Sequence, residues 1–338
     1  MLCNRLVALV LLAPVGGCSD SLDLGHNVRH VGDPETTGGA TCAGAPCFAG
    51  PVLDLATSGG NAKGLALDET DAYWAASSAG VIMKTPKGGG PSTAIPAPDG
   101  PYLVSSDPER VYFTSQVGGF VARLTKSDQG ISLLASDQAD PSVVLAADDG
   151  VYFMTQATGE VRRVALDGSV VDTLATGLSL GSGLALDADF LYFADAGRGD
   201  LWAQGRASGE SRLLAGGRAH PGSLLARGEE LYFLELGTPD ADYSDGALLR
   251  MPRTGGDPVV LVAGLDAPIS LAADADALYV CTRGNETNGY LGRVVRLSNS
   301  GELRTLALDQ PEAHSIAVDA TGVYWTVDAA SGLRALKR

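Results

Sequence analysis

Seven tyrosines recur along this 338-residue chain at a nearly constant interval. Tyr73, Tyr112, Tyr152, Tyr192, Tyr232, Tyr279 and Tyr324 are separated by 39, 40, 40, 40, 47 and 45 residues. Most sit between an aliphatic residue and a second aromatic, as in Val111-Tyr112-Phe113, Val151-Tyr152-Phe153, Leu191-Tyr192-Phe193 and Val323-Tyr324-Trp325. A unit of about forty residues cannot bury such a segment by itself, so a chain of seven units must share its core between neighbours.

Four short strands can be aligned in each unit. The first is small and aliphatic, as in Gly64-Leu65-Ala66-Leu67 and Gly183-Leu184-Ala185-Leu186, and is followed by an acidic turn. The second carries the tyrosine, and its apolar residues are adjacent, not alternate, so both of its faces are buried. The third starts near Val81, Val121, Val161, Leu201, Leu248, Val294 and Leu333, with Arg or Lys interleaved, as suits a partly wet strand nearer a rim. The fourth is short, as in Leu133-Leu134 and Leu213-Leu214. Val52-Leu53-Asp54-Leu55 precedes the first unit and reads as a lone fourth strand, while the chain ends at Leu333-Arg334-Ala335-Leu336, a third strand without a fourth. The two ends are complementary. They predict an all-β, seven-bladed β-propeller of four-stranded antiparallel blades, closed by an N-terminal strand that completes the last blade, which removes the sheet edges a linear array would expose. The propeller is expected over 51–338 as a monomer.

Ser315-Ile316-Ala317-Val318-Asp319, followed by Val323-Tyr324-Trp325-Thr326, resembles the repeats of YWTD and NHL-type propellers and is similar to the repeat of streptogramin lyase. Val327 departs from the signature, standing where an acid belongs. The resemblance covers nearly everything after residue 51. It is a packing resemblance, and implies the fold more than any activity.

The N-terminus reads as an export signal. Arg5 is followed by the apolar run Leu6 to Val15, too short to cross a bilayer of roughly 30 Å. The run ends in Val15-Gly16-Gly17-Cys18, which resembles the bacterial lipobox. That resemblance implies cleavage after residue 17 and a lipid on Cys18. Residues 18–50, rich in Gly, Asp and Thr, read as a tether with a coil span of roughly 30 Å. Ser19, and not Asp, follows the lipidated cysteine, so the expected location is the cell envelope, at the outer membrane. Cys42 and Cys47 are expected to form a local disulfide in that oxidising compartment, with a C-x4-C metal half-site as the alternative. Cys281 falls in a strand, where a thiol packs as a small hydrophobe.

The net charge is −16, and loss of the signal leaves 23 basic against 40 acidic groups. Such a surface repels phosphates, so nucleic acid is excluded as a partner, and the membrane is met only through the lipid. In a propeller the loops between second and third strands, and between one blade and the next, share one face around the channel mouth. Only the fifth and sixth units have long second-to-third connections there. Loop 235–246 offers Asp240, Asp242, Tyr243 and Asp245, and loop 282–290 offers Arg283, Asn285, Glu286 and Tyr290. Charged and aromatic residues on neighbouring loops over a rigid scaffold suit a binding face for an envelope protein or glycan. The expected function is a non-enzymatic binding or scaffold module without a cofactor.

The alternative is a metal-dependent lyase or lactonase. His220 and His314 enter first strands at nearly equivalent repeat positions, with Glu312 and Asp266 in the same set of loops. Streptogramin lyase, which the repeats resemble, uses histidines and a glutamate with a metal at its channel mouth, so a divalent metal is the possible cofactor. Asp240, Asp242 and Asp245 hint at calcium but lack the EF-hand spacing, with Met251 where a bidentate Glu should stand. Gly177-Leu178-Ser179-Leu180-Gly181 spells a nucleophile elbow, but lies between two strands with no helix to follow. Arg198-Gly199-Asp200 reads as an ordinary turn, as does Lys87-Gly88-Gly89-Gly90. The acidic turns, such as Asp68-Glu69 and Asp187 to Asp189, are expected to ring the opposite face.

Overall fold

A computed structural model describes residues 50–338. The signal, Cys18, Cys42, Cys47 and almost all of the tether lie outside the described residues. Twenty-eight strands form seven four-stranded antiparallel sheets, with two single-turn 3-10 segments, Ser77–Ala79 and Pro239–Ala241, as the other regular elements described. Blades 1 to 6 occupy 62–96, 101–135, 141–175, 181–215, 221–265 and 268–311. Blade 7 joins 313–337 to the N-terminal strand Leu53–Thr57, which pairs with Gly332–Lys337. The first strands pack side by side in an unbroken ring about the channel, blade 7 against blade 1 included.

The tyrosine strands carry the packing. One hydrophobic cluster fills each of the seven interfaces, and in each the tyrosine of one blade meets the second strand of the next. Tyr73 packs with Phe113, Tyr112 with Phe153, Tyr152 with Phe193, Tyr192 with Phe233, Tyr279 with Trp325, and Tyr324 with Trp74. Successive side chains on a strand point to opposite faces. The tyrosine therefore serves the following interface and the next aromatic the preceding one, and these six tyrosines are at most 2% exposed. Tyr232 is the exception. It faces Val280 instead of an aromatic, and it is half-buried.

The acidic turns do not form a bare ring of carboxylates; they latch the blades together. Asp187 shows how. Its Oδ1 accepts the N–H groups of Asp189 and Phe190 at 2.8 and 2.7 Å, and its Oδ2 accepts the Tyr192 hydroxyl at 2.7 Å. Arg253, the first residue after the third strand of the next blade, completes the set as an ion pair. The same position supplies Lys126 to Asp68, Arg206 to Asp149, Arg338 to Asp274 and Lys87 to Asp319. Two interfaces differ. Ala165 occupies the basic position in blade 3, and Asp107 turns to its own Arg110. In blade 5 Arg227 replaces the aspartate and donates to the Ala275 carbonyl at 2.6 Å and to Asn299 at 3.3 Å.

Every first strand carries a bulge or register shift near its third residue. At this level the inner strands approach so closely that a Cβ on Gly64 would lie 2.4 Å from the Val104 nitrogen. Gly64 is thus required by backbone contact and not by a turn. The third strands of blades 5 and 6 begin earlier than the sequence pattern marks, at Gly246 and Leu291. Leu291 and Gly292 pair with Pro311 and Gln310 of an outer strand nine residues long, so part of the sixth unit's extra length is strand and not loop.

Candidate functional site

The second-to-third connections and the blade-to-blade connections emerge on one face. In blade 5 the long loop folds as a 3-10 turn followed by Asp242 and Tyr243, both in the left-handed region. Asp245 closes it by accepting the Thr238 N–H and hydroxyl, each at 2.7 Å. In blade 6, Asn285 and Asn288 bond each other's backbone reciprocally, which buries Asn285. The two loops are joined. Asp242 Oδ2 accepts the Thr287 N–H and hydroxyl, both at 2.8 Å. Burial pushes this carboxyl up, but the N–H groups of Thr287 and Glu286 and the Thr287 hydroxyl outweigh it and hold it below the usual carboxylate range. The Tyr243 carbonyl accepts the Ala267 N–H, the Tyr290 carbonyl accepts the Glu312 N–H, and Arg283 stacks over the Tyr290 ring at 5.7 Å.

Of the eight residues expected to form a binding face, Asp242, Asp245 and Asn285 hold the loops in shape. Asp240 and Glu286 are exposed, while Tyr243, Arg283 and Tyr290 are half-buried between loop and channel. Asp240, Asp242 and Asp245 do not converge as a calcium site would require, because the latter two serve different partners.

His220 and His314 occupy different surroundings. His220 precedes the first strand of blade 5; its Nδ1 lies 2.9 Å from the Gly237 carbonyl and its ring meets Tyr243 edge-on. It aligns with Glu312, not with His314, which is the second residue of its strand Ala313–Asp319. Glu312 and Asp266 lie in the turns before the first strands of blades 7 and 6, where their backbone carbonyls accept the N–H groups of Asp328 and Gly284. Among the described residues, no three His, Cys, Asp or Glu side chains are placed to hold a metal ion between them.

His314 belongs to another group. Its ring meets Tyr102 of blade 2 edge-on at 6.0 Å. Blade 1 lies between those blades, so the contact is made in the channel. Between them Lys63 of blade 1 forms an ion pair with Asp328 of blade 7. Burial, with Lys63 and Arg283 nearby, holds His314 far below its ordinary value, as neutral imidazole. Burial and the charges of Asp328 and Asp140 push the Tyr102 hydroxyl upward, while Arg283 opposes them. The sequence pattern singled out His314 and Arg283 but missed Lys63, Tyr102, Asp140 and Asp328. A signal existed. The second residue of each first strand, in order, is Lys63, Tyr102, Ser142, Ser182, Gly222, Ile269 and His314, a largely polar column in otherwise apolar strands.

A separate groove of about 560 Å³ lies at the outer edge between blades 1 and 2, lined by Pro96, Pro98, Phe120, Ile131, Leu133 and Asp137 among others. It touches neither the long loops nor the channel mouth. Gly177–Gly181 connects two strands, with the Ser179 and Leu180 N–H groups donating to Asp195. Arg198–Asp200 is a hairpin turn in which a Cβ on Gly199 would meet the Arg218 carbonyl at 2.5 Å. Cys281 is fully buried, and burial pushes its thiol up to about 12.

No family model matches this sequence, and no curated protein is similar to it in sequence. Solved structures do share the fold. A streptogramin B lyase superposes with a TM-score of 0.70 at 13% identity, over 84% of this chain and 96% of that one. The nidogen/laminin complex gives 0.58 at 16% identity, over 73% and 97%. PorZ, a surface component of the type-IX secretion system of Porphyromonas gingivalis, gives 0.62 at 13% identity, over 85% of this chain and 38% of that one. At these identities the likeness establishes the β-propeller, which here has seven blades.

Proposed function

We propose that this protein is a lipid-anchored module of the cell envelope that binds a protein or glycan through the joined loops of blades 5 and 6. The observation that carries the reading is the Asp242–Thr287 bridge. Two insertions on different blades are fastened to each other and to the inner strands, so they meet a partner already ordered. Preorganisation lowers the entropy lost on binding. The direction of the chain agrees with this. Leu53 pairs with Ala335 and Thr57 with Gly332, so the N-terminal strand runs toward the face that carries the loops. The chain thus enters blade 7 from the opposite face, and a tether attached there leaves the loops turned outward. A propeller found together with a protein partner has a precedent in the nidogen/laminin complex.

The test is a pull-down from detergent-solubilised envelope with the parent chain and a variant in which both loops are cut to the turn length of blades 2 to 4. Folding should survive, because loop entropy varies slowly with length, while the melt falls somewhat with loss of the Asp242–Thr287 bridge. Loss of a specific partner from a folded variant supports the reading, and retention of every partner refutes it. The anchor is tested separately. Cys18→Ser should move the chain from the membrane to the soluble fraction, and unchanged membrane retention would remove the lipid from the account.

A further inference from the structure

The channel mouth holds polar groups that the fold leaves without partners. His314 Nδ1, Arg283 Nε and Asp328 Oδ1 are buried and make no hydrogen bond with any of the described residues. Among the described residues the Arg283 guanidinium forms no ion pair, and it stacks on the Tyr290 ring. The Tyr102 ring lies against His314. These residues come from blades 6, 7 and 2 and reach one another only through the channel. Buried polar groups in folded proteins are nearly always satisfied, so several unsatisfied ones lining one space indicate that something polar occupies it. The charges define what that is. Lys63 is paired with Asp328, Asp140 bears on Tyr102, and Arg283, whose charge also reaches Asp242, is the cation here without an ion pair among the described residues. A guanidinium, a phenol and a neutral imidazole can all donate hydrogen bonds, and a carboxylate accepts from all three, leaving Asp328 Oδ1, itself an acceptor, to water.

We propose that the channel mouth is a binding pit for a small organic carboxylate, gripped by Arg283, Tyr102 and His314. This pit shares Arg283 with the base of loop 282–290 but lies apart from the loop tips: the carboxylate enters the channel, while the partner proposed above sits on those tips. The probe is sodium propionate added to the full chain labelled with nitrogen-15 at histidine, against sodium chloride at equal ionic strength. The His314 imidazole signals, assigned by their loss in His314→Gln, should move saturably with propionate and not with chloride. The other three histidines should stay still. Charge-assisted hydrogen bonds are the strong ones, so Arg283→Met should weaken binding by about tenfold or more, and Tyr102→Phe by about threefold. The two variants remove different donors from different blades, so one remains informative if the other misfolds. A pit that holds water alone gives no saturable movement at millimolar propionate, and that result overturns the proposal. An equal response to chloride, or unchanged affinity in the folded variants, overturns it as well. Loop shortening that retains Arg283, abolishes partner capture and spares the propionate response would leave this site standing by itself.

Discussion

Replacing Asp187 by alanine removes four interactions, three within blade 4 and one across to blade 5, and the structure indicates what each is worth. The Tyr192 hydroxyl is 2.7 Å from the carboxylate on a residue 1% exposed, so losing its acceptor strands a buried polar group. That costs about 1–3 kcal/mol. The N–H groups of Asp189 and Phe190 lose a charged acceptor at the turn but can reach water, and the pair with Arg253, partly open to solvent, adds about 0–1 kcal/mol. The expected loss in equilibrium urea unfolding is about 3 kcal/mol. Tyr192→Phe, which leaves the carboxylate with its other donors, should lose about 1 kcal/mol. Glu229→Ala is the control: its side chain is 93% exposed, and the change should stay within about 0.5 kcal/mol. The acid dependence follows. Burial pushes the Asp187 carboxyl up, but the Tyr192 hydroxyl, the N–H groups of Phe190 and Asp189, and Arg253 hold it below its ordinary value. A group depressed in the folded state contributes fully above its unfolded value, roughly 4, and loses that contribution as pH falls through the folded one. The gap between parent and Asp187→Ala should therefore be constant at neutral pH and close in stronger acid. A loss under about 1 kcal/mol, or a gap that widens in acid, would refute the latch.

Two further outcomes follow from packing. Gly64→Ala should cost about 3 kcal/mol, read as a lower urea midpoint with little change in slope, because the inner strands of blades 1 and 2 must part to admit a methyl group. A loss below about 1 kcal/mol would show that the ring relaxes more freely than this contact allows. Cys281 should resist a thiol-reactive dye in the folded protein at neutral pH and react once urea unfolds it, since its thiol is buried and its ionisation is pushed far up. Rapid labelling of the folded chain would contradict that burial.

How far the chain could be read depends on how local each cause is. The tyrosine strands were legible because burial on both faces is written in consecutive residues, and the blade count followed. The complementary ends were legible for the same reason. The latches were not. Asp187 and Arg253 stand far apart in sequence, and each looks like ordinary turn chemistry until blades 4 and 5 are placed side by side. The channel cluster was harder still, since Tyr102 and His314 meet only across a ring whose diameter depends on all seven units. Loop length was half legible. It located the insertions correctly, but the pattern starts the sixth unit's third strand at Val294, because nothing nearby reveals that Pro311 and Gln310 extend the partner strand to meet Leu291 and Gly292.

The interface between blades 5 and 6 draws these threads together. It is the one where Tyr232 is only half-buried, where Val280 stands in place of an aromatic, and where Arg227 with Asn299 replaces the ion pair. By the measures that hold the other blades together, it is deficient on the turn side and in its core. It is also the interface bridged on the opposite face by Asp242 and Thr287, and flanked by the longest third and fourth strands in the molecule as described. The insertions therefore cannot be free surface decoration. They supply, on the loop face, the blade-to-blade attachment that the repeat lacks there, and the rigidity that follows is the property a preorganised binding surface needs.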